Sequence, residues 1–214
     1  MSELDDLLPG IRVGLDMDGV LADFNTGWMR RYNQAFGTVL EASQVSEWDG
    51  LERLTHFGSM SAFWEWARGD VPSTFRDAPA LPGAVEAARR IAQRHRLVIV
   101  SSKFEWAIAD SLAWLADHQV PAREVHFLWD KSIAACDVYL DDAPHHLAQL
   151  AESLPEATVC RMVHAWNAPL PGVVDIHSWG EFEAVVEQVA EARERSRGHA
   201  VEAKEAPAPP ERAW

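Results

Sequence analysis

Short, uninterrupted apolar runs separated by polar turns punctuate the chain at Ile11–Leu15, Leu97–Val100, Val125–Trp129, Val138–Leu140 and Thr158–Val163. Runs of this length, rich in β-branched residues, predict strands buried on both faces of a sheet. Between them the apolar positions recur every three or four residues. Val85, Ala88, Ile91 and Ala92 share one helical face after a Pro82-Gly83 turn, and Phe104, Ile108, Leu112 and Leu115 share another. Ser178 followed by Glu181 has the form of a capping box ahead of Phe182, Val185, Val186 and Val189. Strand and helix in alternation imply an α/β fold, a parallel sheet covered by helices on both faces.

One stretch breaks the alternation. Asn25 to Ala78 has no buried-strand pattern, but Trp28, Tyr32 and Phe36 fall at helical spacing, with Phe63, Trp64 and Trp66 further along. We read 25–78 as a small helical cap inserted after the first strand of a Rossmann-like core formed by 1–24 and 79–198. From Gly198 onward the Pro- and Ala-rich run ending AKEAPAPPERAW offers too little apolar surface to order itself, so 199–214 reads as a disordered tail. No internal repeat at a fixed period is visible.

Composition narrows the picture. At 214 residues and 48% hydrophobic content the chain can bury one sizeable core and carry a small accessory unit. The 19 basic residues against 33 acidic ones give a net charge of −14, which disfavours broad binding to a nucleic-acid polymer. Met1 to Gly10 lacks the basic-then-apolar pattern of a leader, and no apolar stretch approaches the ~20 residues that span a bilayer, so the expectation is a cytoplasmic protein without a membrane partner. The two cysteines, Cys136 and Cys160, lie inside apolar runs and read as buried reduced thiols.

The chemistry concentrates where strands end. Leu15-Asp16-Met17-Asp18-Gly19 closes the first apolar run, and in open α/β sheets ligands gather at the carboxyl ends of strands. Two carboxylates at i and i+2 can face one reacting group once the chain leaves the pleat, one attacking while the other moves a proton. By itself, Asp-x-Asp-Gly is as often a solvated acidic turn. The second strand ends in Ser101-Ser102 just before a helix, presenting hydroxyls and free backbone N–H groups, although serines there commonly serve only as caps. Lys131 follows the third run, and Asp141-Asp142 ends the fourth. Four carboxylates, a lysine and two hydroxyls thus share one end of successive strands. Carboxylates ~4 Å apart repel by about 4 kcal/mol per pair at an effective dielectric near 20, so the cluster needs a cation or a raised pKa; a hard divalent ion meets that need, Mg²⁺ where phosphate is the ligand.

These motifs in this order resemble the haloacid dehalogenase-like phosphatase superfamily, and DMDGVLADF is especially similar to its 5′(3′)-deoxyribonucleotidase branch. LPGAVEAARR, the serine pair, WDK followed after ten residues by the Asp pair, and the late HSW also resemble that branch, from about Ile11 to Phe182. The resemblance implies a phosphomonoesterase in which Asp16 attacks phosphorus and Asp18 protonates the leaving oxygen, then activates water. It implies Mg²⁺ held by the Asp16 carboxylate, the Asp18 backbone carbonyl and the Asp141-Asp142 pair, with Asp142 favoured by analogy as the direct ligand. Ser101 would bind phosphoryl oxygens with help from Ser102, Lys131 would neutralise their charge, and Phe24 and Trp48 would contact base or sugar.

Two departures bear on specificity: Ser101 stands where that branch more often has threonine, and Glu47 precedes Trp48 where an aromatic is more typical. Trp64 and Trp66 read as ordinary packing, and the adjacent His145 and His146 receive no catalytic role. The expected substrate is a deoxyribonucleoside monophosphate. A sugar phosphate or other small phosphomonoester is the alternative, a catalytically silent nucleotide-binding protein the second, and a homodimer stays open.

Overall fold

A computed structural model describes residues 10–69 and 72–205. Its centre is a six-stranded, all-parallel sheet of β1 (Arg12–Leu15), β2 (Arg96–Ser101), β3 (Glu124–Phe127), β4 (Val138–Asp141), β5 (Thr158–Met162) and β6 (Val174–Ile176), in the order β3-β2-β1-β4-β5-β6. Six α-helices accompany it: α1 (Phe24–Phe36), α2 (Met60–Arg68), α3 (Ala84–Arg94), α4 (Ile108–Asp117), α5 (Pro144–Ser153) and α6 (Trp179–Glu205). Every residue of β2 and β4 is buried, as their unbroken apolar runs require.

Strand alternation divides the core. Leu97 and Ile99, with Val13, Leu15, Val138 and Leu140, face Ala88 and Ile91 of α3, Trp114 of α4, and Phe182 and Val186 of α6. Val98 and Val100, with Tyr139 and Val159, face Leu147 and Leu150 of α5. This is the expected α/β fold, and both cysteines are buried free thiols. The chain winds outward from β1 through β2 to β3, then returns to the other side of β1 to place β4. Such a reversal opens a crevice beyond the carboxyl ends of the two central strands.

Several sequence expectations change. The edge strand β3 stops at Phe127; Val125 within it is 36% exposed and Trp129 beyond it 65% exposed. The strand β6 has only three residues and went unread. The face of α4 turned inward is Ser111, Trp114 and Leu115, whereas Leu112 is 44% exposed; the Trp114 indole N–H donates to Ala78 O at 2.7 Å, which selects that rotation. Helix α6 continues to Glu205, into the segment read as a tail; 206–214 lie outside the described residues, as do 1–9. At its start Ser178 Oγ accepts from Glu181 N, and the Glu181 carboxylate accepts from His177 N rather than from Ser178.

Between β1 and α3 the chain contributes α1, α2 and 3₁₀ turns at Ala42–Gln44 and Leu51–Leu54. These pack around Trp28, Tyr32 and Phe63, with Trp28 edge-on to Phe63 at 5.2 Å. Tyr32 Oη accepts from His56 N at 2.8 Å and shares a hydrogen bond with its Nδ1 at 2.7 Å, pinning the 3₁₀ region to α1. Phe36, one turn beyond, is 43% exposed. No described helix is long and apolar enough to cross a membrane.

Candidate active site

The crevice beyond β1 and β4 is a cleft of about 360 Å³. Its floor carries Asp16, Asp18, Lys131 and Asp142, and its walls come from Phe24, Trp48, Trp64, Phe75, Phe104 and Trp166 among others. Asp16 follows the last residue of β1, its N–H bonded to Leu140 O at 3.0 Å, so the ends of β1 and β4 are joined. The chain then turns sharply: the N–H groups of Val20, Leu21 and Ala22 converge on Met17 O, and Gly19 takes a φ of +71°. This turn keeps Asp18 close enough to Asp16 for the two carboxylates to act on each other.

Lys131, in a 3₁₀ turn after β3, is buried, its Nζ 3.2 Å from Asp16 Oδ1 and 2.5 Å from Asp141 Oδ2. Burial would depress its pKa, but Asp141 and Asp16 hold it above the usual lysine value. Burial would likewise raise Asp16, yet Lys131, the Ser101 hydroxyl and Lys103 pull it below the usual range. Asp16 is therefore an anion at neutral pH. Asp18 moves the opposite way, raised by burial and by Asp16 against the opposing pull of Lys103. The two carboxylates are thus set apart, Asp16 held below the usual range and Asp18 above it.

Asp141 and Asp142 differ in what they have left to offer. Asp141 Oδ2 accepts from Lys131, and its Oδ1 accepts from Ala143 N at 2.9 Å. Asp142 Oδ2 accepts from the Trp166 indole N–H at 2.9 Å, while its buried Oδ1 has no hydrogen-bond partner among the described residues. Burial, with Asp16 and Asp141 nearby, pushes Asp142 well above the carboxylate range. Oxygens of Asp16, Asp141 and Asp142 lie within 4.8 Å of one another. With Asp18 these make four carboxylates against the ammonium groups of Lys131 and Lys103. The surplus negative charge and the orphaned Oδ1 fit a divalent cation with oxygen ligands.

The other predicted residues fall as follows. Ser101 is buried, its hydroxyl among the groups that lower the Asp16 pKa. The Ser102 hydroxyl is already engaged, donating to Leu128 O at 2.8 Å and accepting from His146 Nε2 at 2.7 Å. Phe24 stacks on Phe75 at 4.7 Å in the wall, and Trp48 meets His145 edge-on at 5.6 Å across the cleft. Trp64, read from sequence as packing, faces the cleft between Phe24 and Phe104; Trp66 packs against Tyr32 and Phe63.

Sequence reasoning missed three residues. Lys103 is buried, ion-paired to Asp18 and 4.1 Å from the Phe75 ring centroid. His164 and Trp166 follow β5 and reach the Gly19 carbonyl and Asp142. Their signal was position: Lys103 lies two residues past β2, and His164 two past β5, at the functional end of the sheet.

The family model described as 5′ nucleotidase, deoxy (Pyrimidine), cytosolic type C protein matches residues 10–193. The chain is 30% identical over 186 residues to the mitochondrial 5′(3′)-deoxyribonucleotidase of Mus musculus, covering 80% of this chain and 82% of that one. It is 29% identical over 190 residues to the mitochondrial 5′(3′)-deoxyribonucleotidase of Homo sapiens, with 80% and 79% covered. Among solved structures, a haloacid dehalogenase-like hydrolase from Streptococcus pneumoniae superposes with a TM-score of 0.58 at 11% identity, over 82% of this chain and 98% of that one.

Proposed function

Because the chain belongs to the deoxy (pyrimidine) 5′ nucleotidase, cytosolic type C family, whose chemistry is phosphoric monoester hydrolysis, we propose that it is a Mg²⁺-dependent phosphatase of deoxyribonucleoside monophosphates. The observation that carries this reading is the anionic Asp16, buried at the floor of an aromatic-walled cleft and held by Lys131 and Ser101.

Asp16 attacks phosphorus as the ester oxygen leaves, giving an aspartyl-phosphate. Asp18, whose raised pKa suits a proton carrier, protonates that oxygen and afterwards takes a proton from the water that hydrolyses the acyl phosphate. Lys131 and the backbone N–H groups beyond Ser101 stabilise the charge on the phosphoryl oxygens, and Ser101 orients Asp16. A Mg²⁺ ion would be held by the Asp16 carboxylate, the Asp18 carbonyl and Asp142 Oδ1, with Asp141 supporting through Lys131 and Ala143 N. Such an ion supplies charge neutralisation that lets a phosphate approach this acidic floor.

The cap over 25–78, together with Phe24 of the core just before it, supplies specificity. Phe24, Trp48, Trp64 and Phe75 give flat apolar surfaces that suit a nucleobase better than a sugar. Phosphate release from a panel of deoxy- and ribonucleoside monophosphates beside a panel of sugar phosphates tests this. Preference for nucleotides is the expected result; activity confined to sugar phosphates would overturn the reading of the cap, and binding without turnover would favour the silent-binder alternative.

A further inference from the structure

We infer that Trp166 is a positioning residue for the metal site, fixing Asp142 so that Oδ1 is the atom offered to the cation, and that with His164 it couples this carboxylate to the turn after the nucleophile. The inference rests on the phosphatase reading above, but concerns a segment that reading does not use.

The segment 164–167 leaves the end of β5 and is held rigidly. The Asn167 side chain donates to Asp142 O and to Met162 O, both at 2.9 Å, and its Oδ1 accepts from His164 N at 3.0 Å and Arg161 Nη1 at 2.7 Å. Arg161 is itself buried and gripped by both oxygens of Asp175, at 2.8 and 2.6 Å. On this base the rings of His164 and Trp166 lie nearly parallel, 11° apart at 4.1 Å. Each ring uses its N–H on the site. Trp166 Nε1 donates to Asp142 Oδ2 at 2.9 Å, and His164 Nε2 donates to Gly19 O at 2.6 Å.

The consequence follows from the two oxygens of Asp142. A carboxylate free to rotate offers either oxygen and loses entropy on binding a cation. Here one oxygen is held by a neutral N–H donor and the other is buried with no partner, so the ligand is set before the ion arrives. Removing such a supporting donor typically weakens metal affinity about 10–100-fold. The same ring pair ties the Asp18-Gly19 carbonyl region to Asp142, joining two of the proposed ligands through one loop.

Trp166 also lines the cleft, so a stacking role toward substrate is the rival explanation. Trp166→Phe separates them, since it keeps an aromatic face and removes the N–H. Mg²⁺ affinity is read from the Mg²⁺-dependent rise in melting temperature of the full chain. The expected result is a 10–100-fold weaker Mg²⁺ affinity. Affinity equal to wild type overturns the inference, as does a raised KM with unchanged Mg²⁺ affinity. On the unaltered chain, the assigned Trp166 indole N–H resonance is expected to shift when Mg²⁺ is added, which keeps the test open if the variant does not fold; a resonance indifferent to bound Mg²⁺ overturns it. A wild-type melting temperature that ignores Mg²⁺ overturns the metal reading itself, and this inference with it.

Discussion

The carboxylate of Asp142 presses against the backbone of Gly19 so closely that a Cβ built on the glycine would lie 2.2 Å from Asp142 Oδ2. Gly19 also has a φ of +71°, a region costly for other residues. The Asp142 carboxylate cannot swing away, because that same oxygen accepts the Trp166 N–H. Gly19→Ala is therefore expected to lower stability by about 1–3 kcal/mol in urea unfolding and to abolish most of the Mg²⁺-dependent rise in melting temperature. Wild-type behaviour on both counts would contradict this packing.

Lys103 offers a test of how Asp18 is tuned. Its ammonium pulls the Asp18 pKa down against the effect of burial, so Lys103→Met leaves Asp18 protonated to higher pH. The acid limb of the kcat profile then moves to higher pH, and turnover at pH 6 falls by about tenfold or more as the base form is depleted. An unmoved acid limb would remove Asp18 from the role of base.

The two serines should separate cleanly. Ser101 reaches Asp16, whereas the Ser102 hydroxyl is spent on Leu128 O and His146. Ser101→Ala is expected to cost about tenfold or more in kcat. Ser102→Ala is expected to cost about 1–2 kcal/mol of stability with kcat nearly retained. The reverse pattern would return Ser102 to the substrate.

Acid stability has a contributor far from the cleft. Arg12 of β1 reaches past β2 to Glu124 of β3, at 2.5 and 3.0 Å, and this bonding lowers the Glu124 pKa from 4.5 to about 2. The depressed value means the stabilisation is fully present above pH 4.5 and is lost as pH falls towards 2. Glu124→Gln should flatten the stability curve across that window and leave neutral-pH activity alone. The effect is modest, because the glutamate is 37% exposed and solvent screens the pair.

What the sequence made legible were features carried by consecutive residues. Leu97 to Val100 is an unbroken apolar run and is buried throughout; Asp16, Lys131 and the Asp pair each follow such a run, so the sheet alone brings them together. Features set by contacts across the fold were hidden. The rotation of α4 depends on the Trp114 bond to Ala78 O, so spacing favoured Leu112, the wrong side. The edge strand β6 is three residues with Val174 40% exposed, too short to show a period. Lys103 and Trp166 acquire their meaning from partners 85 and 24 positions away, and no local pattern distinguishes them from a surface lysine or a packing tryptophan.

The central claim is that Asp16 is the nucleophile of a Mg²⁺-dependent phosphomonoesterase. Its most direct test is phosphate release from a deoxyribonucleoside monophosphate in the presence of Mg²⁺, wild type beside Asp16→Asn. The account predicts turnover by wild type that a chelator stops, and none above background in the variant while its melting temperature stays that of a folded protein. Comparable turnover by a folded Asp16→Asn protein would contradict it.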